Sequence, residues 1–285
     1  MLTQKKKSKI IRLKDFLRQN SFFFLFCILG SVLLLLVVLT IMDLFVKQLV
    51  LNFSNFISVL TEWYVIKTIL LTFYASFIST LLAIIFGVPL AYILAKYDFR
   101  GKTLIESILN IPLMIPHSVA GLLIYTIFYR SGIIGAPMKN IGIVFEDSIF
   151  GIIVALLFVS MPIFINNVKD GFASINPHYE NVAASLGANE RQVFTQIMLP
   201  LTARQIFTGS VMCWARGISE FGAVILIAYY PMIAPVLVYY RFNTTGLAGS
   251  GPIALILILM SLAIFLMLYL LKNQPRFGAI GEYSV

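Results

Sequence analysis

Six stretches of this sequence run for about 20 residues or more without a charged side chain, the length of apolar helix that crosses a bilayer. They are residues 19–42, 68–95, 107–129, 148–168, 221–240 and 242–271. Hydrophobic residues make up 60% of the 285 positions and charged residues 12%, which leaves too little polar surface to cover a soluble globule. The sequence therefore predicts an all-α integral membrane protein with six transmembrane helices.

Basic residues near the ends of these stretches orient the chain, because Lys and Arg are retained on the cytoplasmic side. They cluster before the first stretch, between the second and third, between the fourth and fifth, and after the sixth. Both termini are therefore predicted to be cytoplasmic. Residues 1–20 would form a basic segment that either lies on the inner leaflet or serves only as a topology signal. Residues 21–272 would form the transmembrane domain, and 273–285 a short cytoplasmic tail.

Three kinds of chemistry lack support in the sequence. Cys27 and Cys213 both fall inside predicted spans, so no disulfide framework is expected. Neither His117 nor His178 has a Cys or acidic residue at metal-ligand spacing. Gly101-Lys102-Thr103 lacks the earlier glycine of a phosphate-binding loop. We therefore expect no metal site, no bound ATP and no catalytic site in this chain.

The polar stretch 169–204, between the fourth and fifth spans, carries signals for two short helices. Asn176-Pro177 favours a helix start and Gly187 a helix end. Asn189 can cap a second helix, which Pro200 is predicted to stop. The apolar face of the first helix would comprise Val182, Ala183, Ala184 and Leu186. This face suits either a groove on another protein or the chain's own helical bundle.

This stretch resembles the EAA loop of the membrane subunits of ABC importers, in which Glu-Ala-Ala, three residues, Gly and nine residues precede Ile-x-Leu-Pro. Here nine residues separate Gly187 from Ile197-Met198-Leu199-Pro200, whereas the Glu-Ala-Ala part is spread over Glu180, Ala183 and Ala184. The resemblance implies a coupling helix that docks into an ATP-hydrolysing subunit. The implied coupling residues are Glu180, Ala183, Ala184, Gly187, Ile197, Leu199 and Pro200.

The fifth span is predicted to begin near Gln205 and to close at Tyr229-Tyr230-Pro231, so that Arg216 and Glu220 lie inside it. Each such charge costs about 2.5–3.5 kcal/mol at the bilayer centre, so neither is expected to face lipid. Four residues apart on one helical face, they form either a local ion pair or part of a substrate path. Small residues would let this helix approach its neighbours closely, for packing or to line a pathway: Gly209, Ala215, Gly217, Ser219 and Ala223.

Three segments are similar to permeases for oxyanions such as molybdate, tungstate and sulfate. These are Arg216–Ala228, Tyr229–Pro235, which resembles the archaeal molybdate/tungstate branch, and Pro112–Gly121, where such permeases commonly have a proline at the position of His117. The matches cover roughly residues 87–235. They imply a type I ABC importer-like permease.

Pro112 and Pro116 are predicted to break or bend the third span, since proline lacks a backbone donor and restricts the residue before it. The kink serves either packing alone or gating, and gating is what the family resemblance implies. The candidate pathway or gate residues are Pro112, Pro116, Ser118, Arg216, Ser219 and Glu220.

The family resemblance implies a homodimer in the cell membrane, with two ATP-binding cassette subunits that hold ATP and Mg and an extracytoplasmic binding protein that delivers the anion. Membrane lipid is a further expected partner. No cofactor is expected in this chain, and no nucleic acid is expected to bind it. Sulfate or thiosulfate is the main alternative substrate. An ion or solute channel is a competing class, although a channel needs no capped intracellular docking helix. An intramembrane enzyme ranks last, because the spans offer no nucleophile, base or metal constellation.

Overall fold

The computed structural model describes residues 21–272, so the expectations for 1–20 and 273–285 lie outside the described residues. Throughout the described range the regular structure is helical, as the composition predicts. The chain divides into two compact units, one up to Phe56 and one from Ile57 onward.

The first unit contains helix α1 (Ser21–Phe45), which continues as a π-helix (Val46–Leu51), and the first turn of α2 (Phe53–Thr61). Large apolar side chains are exposed along most of α1, as for Phe22 and Leu36. A helix that is apolar on every side suits a lipid environment, so α1 matches the first predicted span.

The second unit holds the remaining helices. They are α3 (Trp63–Lys96), α4 (Lys102–Met114), α5 (His117–Phe128), α6 (Gly135–Asn140), α7 (Ile149–Ala173), α8 (His178–Ser185), α9 (Glu190–Val193), α10 (Leu199–Ile218), α11 (Val224–Ile227) and α12 (Ala234–Lys272). A π-helix (Phe194–Met198) joins α9 to α10. Gly246, with φ +66°, interrupts α12.

Helices α3, α7 and α10 form the centre of this unit and approach one another at small residues. A Cβ atom added to Gly87 on α3 would lie 2.9 Å from the ring of Phe164 on α7. Two turns further along α7, a Cβ on Gly171 would lie 2.7 Å from Cβ of Gln205 on α10. Because any larger side chain would push these helices apart, glycine sets their spacing.

Among the described residues, four helices are long and apolar enough to cross a membrane, and five if the bent pair α4 and α5 counts as one span. The four are Leu25–Leu51, Trp63–Lys96, Ile149–Ala173 and Ala234–Leu266. Helix α10 is not among them, since polar and charged side chains such as Arg204 and Arg216 interrupt its apolar character. The count of six spans and the side on which the termini lie remain predictions.

The third predicted span is not one straight helix. It bends by 116° between α4 and α5, at Ile115 and Pro116. Ile115 is extended, with φ −81° and ψ 151°, because the following proline disfavours the helical conformation. Pro112, by contrast, lies buried inside α4 and does not break it. The predicted interruption is therefore confirmed at Pro116, whereas at Pro112 the helix is not broken and a bend stays a prediction.

The fifth predicted span is not continuous either. Helix α10 ends at Ile218, and residues 219–223 form a turn before α11. Glu220 accepts a hydrogen bond from the Ala223 N–H at 2.9 Å, and the Ser219 hydroxyl donates to the Arg216 carbonyl. Polar side chains that bond the nearby backbone compete with the helix, which explains the interruption.

The expected end of this run is confirmed, since α11 stops at Ile227 and a loop follows. Asp147, two residues before the start of α7, fixes that loop by accepting hydrogen bonds from the N–H groups of Tyr229 and Tyr230, at 2.9 and 3.3 Å. At the end of the loop, the Ala234 N–H donates to the buried hydroxyl of Thr72 at 2.8 Å, which ties the start of α12 to α3.

Candidate functional site

Helix α8 has the boundaries that its sequence predicts. The Asn176 side chain accepts a hydrogen bond from the His178 N–H at 2.9 Å and so caps the start. At the end, Gly187 adopts φ +86°, and the N–H groups of Gly187 and Ala188 donate to the carbonyls of Ala184 and Ala183, each at 3.0 Å. This pair of bonds is the Schellman arrangement, which satisfies carbonyls that a helix end leaves free.

The second helix of this loop also starts where predicted. Asn189 and Gln192 exchange side-chain to backbone hydrogen bonds at 2.8 and 2.9 Å, which makes a capping box. The predicted stop at Pro200 is wrong, however, because Pro200 lies in the first turn of α10. Directly before it, the Leu199 N–H donates to the carbonyl of Phe194, which closes the π-helix. Proline is tolerated at Pro200 because a residue in the first turn of a helix needs no backbone donor.

The apolar residues of α8 do not share one face. Ala183 is buried and belongs to a cluster with Leu94 and Phe172, whereas Val182 and Leu186 are exposed, Leu186 at 84%. The expectation of a single apolar face is therefore wrong, since Ala183 packs on the chain's own bundle and the other side remains open. Tyr179, half exposed, extends the open side.

Glu180 points inward rather than toward the open side. Its carboxylate accepts a hydrogen bond from the Lys96 ammonium at 2.5 Å, and the two side chains are 26% and 13% exposed. Lys96 is the last residue of α3 and Glu180 lies in the first turn of α8, so each charge also complements the dipole of its own helix. Sequence reasoning counted Lys96 only as a topology signal, and nothing near it in the sequence indicates this partner.

The remaining predicted coupling residues divide between core and surface. Ile197 and Leu199 are partly buried against the same cluster as Ala183, whereas Ala184, Gly187 and Pro200 are exposed. An aromatic group outside the prediction supports the base of the loop. Its members are Tyr92, Phe172 and Phe194, with the Tyr92 ring centroid 5.3 and 4.8 Å from the other two.

A second group of predicted residues meets where α5 begins and α10 ends. Arg216 Nη2 lies 2.7 Å from Glu220 Oε2 and 3.0 Å from His117 Nε2, while Glu220 is only 2% exposed. The ion pair, one of the two alternatives that the spacing left open, therefore forms although the helix has already ended. Ser219 and Ser118 lie beside these charges and are exposed, as is Pro116, which stands before α5.

Two glycines allow the turn 219–223 to lie against the first turns of α5. A Cβ on Gly121 would be 2.6 Å from the Ala223 carbonyl oxygen, and a Cβ on Gly222 would be 2.8 Å from Cβ of His117. Such distances exclude larger residues without rearrangement. Close packing of the break in the fifth span against the start of α5, at the break in the third span, thus holds the charged group in place.

The small residues of the fifth run only partly fulfil their expected role. Gly209 and Gly217 do lie at helix contacts, each with an added Cβ within 3.3 Å of a neighbouring side chain. Ala215, Ser219 and Ala223 do not form one helical stripe, because α10 ends at Ile218.

Comparison with known proteins gives consistent similarities. The family model described as the inner membrane component of binding-protein-dependent transport systems matches residues 87–276. A molybdate/tungstate transport system permease protein of Pyrococcus abyssi is 40% identical over 253 residues, which cover 89% of this chain and 96% of the relative. A sulfate transport system permease protein of Synechocystis is 31% identical over 248 residues, covering 86% and 87%.

Solved structures share the fold at low sequence identity. A chain of a bacterial ABC transporter that imports the polysaccharide alginate matches with a TM-score of 0.72 and 19% identity, covering 92% of this chain and 98% of that one. A chain of the MetNI methionine ABC transporter in an inward-facing conformation matches with a TM-score of 0.57 and 13% identity, covering 72% and 93%. The all-α fold is therefore that of ABC importer permeases.

Proposed function

Since the chain belongs to the family of inner membrane components of binding-protein-dependent transport systems, we propose that it is the permease subunit of an ATP-driven importer of molybdate and tungstate. The observation that carries the substrate class is the similarity to the Pyrococcus abyssi relative over nearly the full length of both chains. The lower identity to the sulfate permease makes sulfate the second arm of the test.

The proposed coupling element is α8 with the turn that ends it. Tyr179, Val182 and Leu186 form an exposed, mostly apolar side that suits a groove on an ATPase subunit. Glu180 and Ala183 hold the opposite side on the bundle, so a push on the helix is passed to α3 and α7 rather than lost in the loop. Each of these residues thus serves coupling in one of two ways: it contacts the ATPase subunit, or it holds α8 on the chain's own bundle.

The proposed assembly is a homodimer. One chain offers one such helix, whereas the ATPase motor of an importer is a pair, so two copies would each hold one ATPase subunit. ATP and Mg would bind to those subunits, and this chain would have no catalytic site of its own. An extracytoplasmic binding protein would deliver the anion to the outer face of the cell membrane, with both termini of the six-span chain inside.

The proposed gate is the charged group at the break of the third and fifth spans. Arg216 offers a cation to a passing oxyanion, while the buried Glu220 balances that cation when no anion is present. Pro116 and Ser118 on one side and Ser219 on the other border this group. Transport would proceed by alternating access, with ATP binding and hydrolysis shifting the population between outward-open and inward-open states.

The test is uptake by proteoliposomes that contain the homodimer with its ATPase subunit, supplied with the binding protein. We expect ATP-dependent uptake of molybdate and tungstate that exceeds uptake of sulfate. Preference for sulfate would move the chain to the alternative substrate class. Anion flux that persists without ATP and without the ATPase subunit would instead indicate a channel and reject the proposal.

A further inference from the structure

Two polar contacts join α4 to α7 in a region that the proposed coupling element and gate do not use. The Lys169 ammonium donates to Glu106 Oε1 at 3.0 Å, and the Asn166 side-chain amide donates to Asn110 Oδ1 at 2.7 Å. The lower-numbered residue of α4 pairs with the higher-numbered residue of α7, so the helices run antiparallel. We refer to these four residues as the polar ladder.

Helix α4 turns its polar stripe inward. Glu106 and Asn110 are four residues apart, hence on one face, and both are partly buried. Large apolar side chains are exposed elsewhere on the helix: Leu104, Ile108, Ile111 and Leu113. In a lipid environment the polar side of such a helix must find polar partners, and α7 supplies them.

The polar ladder fixes the register of the two helices as well as their proximity. A slide of one helical turn, about 5.4 Å along the helix axis, would take both hydrogen bonds out of bonding range. Apolar contacts tolerate such a slide far better because they have no preferred direction. Because the two contacts lie on successive turns of one face of α4, rotation of α4 about its axis would also break them.

The two ends of the ladder lead to the two functional regions. Lys169 stands at the root of the coupling loop, because α7 ends at Ala173 and α8 starts at His178. Helix α4 leads in the other direction to the break at Pro116 and so to the proposed gate. Beyond the break, α5 is packed against the turn 219–223 through Gly121.

We propose that Glu106–Lys169 and Asn110–Asn166 are positioning contacts that make α4 move with α7, so that the break in the third span is driven by the coupling loop. This inference rests on the proposed function. The ladder does not touch the anion, and its loss separates ATP hydrolysis from transport. Motion is then taken up at Ile115 and Pro116, the joint between α4 and α5.

Charge reversal tests the ionic contact in the reconstituted complex. We expect Glu106→Lys and Lys169→Glu each to lower the number of anions imported per ATP hydrolysed by roughly threefold to twentyfold, the range that measured interhelical contacts in membranes give. The double variant Glu106→Lys with Lys169→Glu restores the pair and should return to within about twofold of wild type. Because the readout is a ratio of transport to ATP hydrolysis, a folding defect, which lowers both together, leaves it unchanged, whereas loss of a positioning contact lowers it. Single variants that couple like wild type, or a double variant no better than the singles, would overturn the inference.

The ion pair of Lys102 with Asp98 is the matched control. It joins an Asp before α4 to the first residue of that helix at 2.8 Å, and the Asp98 side chain is 97% exposed. The hydrogen bond from Lys102 holds the pKa of the Asp98 carboxyl below its usual value, so this carboxylate is charged at neutral pH. Asp98→Lys should leave coupling unchanged, since this pair reaches no other helix. A loss equal to that of Glu106→Lys would mean that charge at this end of α4, rather than the ladder, matters.

A crosslink tests whether the helices stay in register during transport. Asn110→Cys with Asn166→Cys, in a chain with Cys27→Ala, removes the second contact and should lower coupling as the charge reversals do. Joining the two thiols with a short bifunctional methanethiosulfonate should restore it, because α4 and α7 move as one body. Abolished uptake after crosslinking would show that the helices slide past each other and would overturn the inference. Wild type without any binding-protein-stimulated ATPase activity would instead count against the proposed function.

Discussion

Gly187, at the end of α8, offers the most direct test of coupling because its role is purely conformational. It has φ +86°, and apart from its own atoms and those of its two chain neighbours no heavy atom lies within 4 Å of where a Cβ would stand. A side chain here therefore meets no clash, and the whole cost comes from the backbone. That cost is about 1–2 kcal/mol for an ordinary L-residue in the left-handed region, and higher for a β-branched one. At 1.36 kcal/mol per tenfold, Gly187→Ala should lower the ratio of correctly ended to incorrectly ended α8 by roughly fivefold to thirtyfold.

The assay compares ATPase-subunit binding and ATP-coupled uptake for Gly187→Ala, Gly187→Val and Gly187→Asn. We expect the order Asn, Ala, Val from mildest to most severe, since Asn adopts the left-handed conformation more readily. Membrane insertion should be preserved in all three. Gly142→Ala is the matched control, because Gly142 has the same φ of +86° and the same open surroundings but lies in the segment between α6 and α7. It should carry the same strain without loss of ATPase binding.

Two results would refute this reasoning. Normal ATP-coupled uptake by Gly187→Val would show that the ended helix is not needed for coupling. Equal loss of ATPase binding in Gly142→Ala would show that general destabilisation, rather than the shape of α8, causes the defect.

Three further changes test the surroundings of α8. Gly171→Ala should destabilise the protein by about 1–3 kcal/mol through overpacking at the base of the loop, seen as a lower unfolding temperature; Gly30→Ala, with open space around it, should not. Glu180→Lys should weaken ATPase-subunit binding through displacement of α8, and adding Lys96→Glu should recover it; failure of the pair to recover would place Glu180 at the ATPase surface instead. Leu186→Glu should abolish ATPase-subunit binding while thermal stability stays unchanged, because that side chain is 84% exposed.

The features that sequence predicted well are those set by neighbouring residues. Asn176, Gly187 and Asn189 act where they were expected because a cap bonds backbone groups within a few positions of itself. Pro116 likewise breaks the helix through the residue before it. Pro200 shows the limit, since a proline interrupts a helix only inside it and is accepted in its first turn.

The contacts that sequence missed join residues far apart in the chain. Lys96 meets Glu180 across 84 positions and Glu106 meets Lys169 across 63. Either charge alone is consistent with a topology signal or a solvated loop, because periodicity describes one helix and not which helix lies beside it. The Arg216–Glu220 ion pair is one of the two alternatives that the four-residue spacing offers. It forms although the helix ends at Ile218, because both side chains are long enough to meet across the turn that follows.

Helix ends that are closed by caps resist bending, so the places where caps are present or absent determine where this protein bends most easily. Both ends of α8 and the start of α9 are closed by side-chain or glycine caps, so an eight-residue helix that would be unstable alone keeps its shape under load. The start of α5 has no side-chain cap, and Pro116 brings no N–H to continue the hydrogen bonding from α4. Bending at that joint sacrifices no cap, whereas bending within the coupling loop would break several hydrogen bonds. A force applied to α8 is therefore expected to bend the chain at Ile115 and Pro116, between α4 and α5, rather than within the capped helices of the coupling loop.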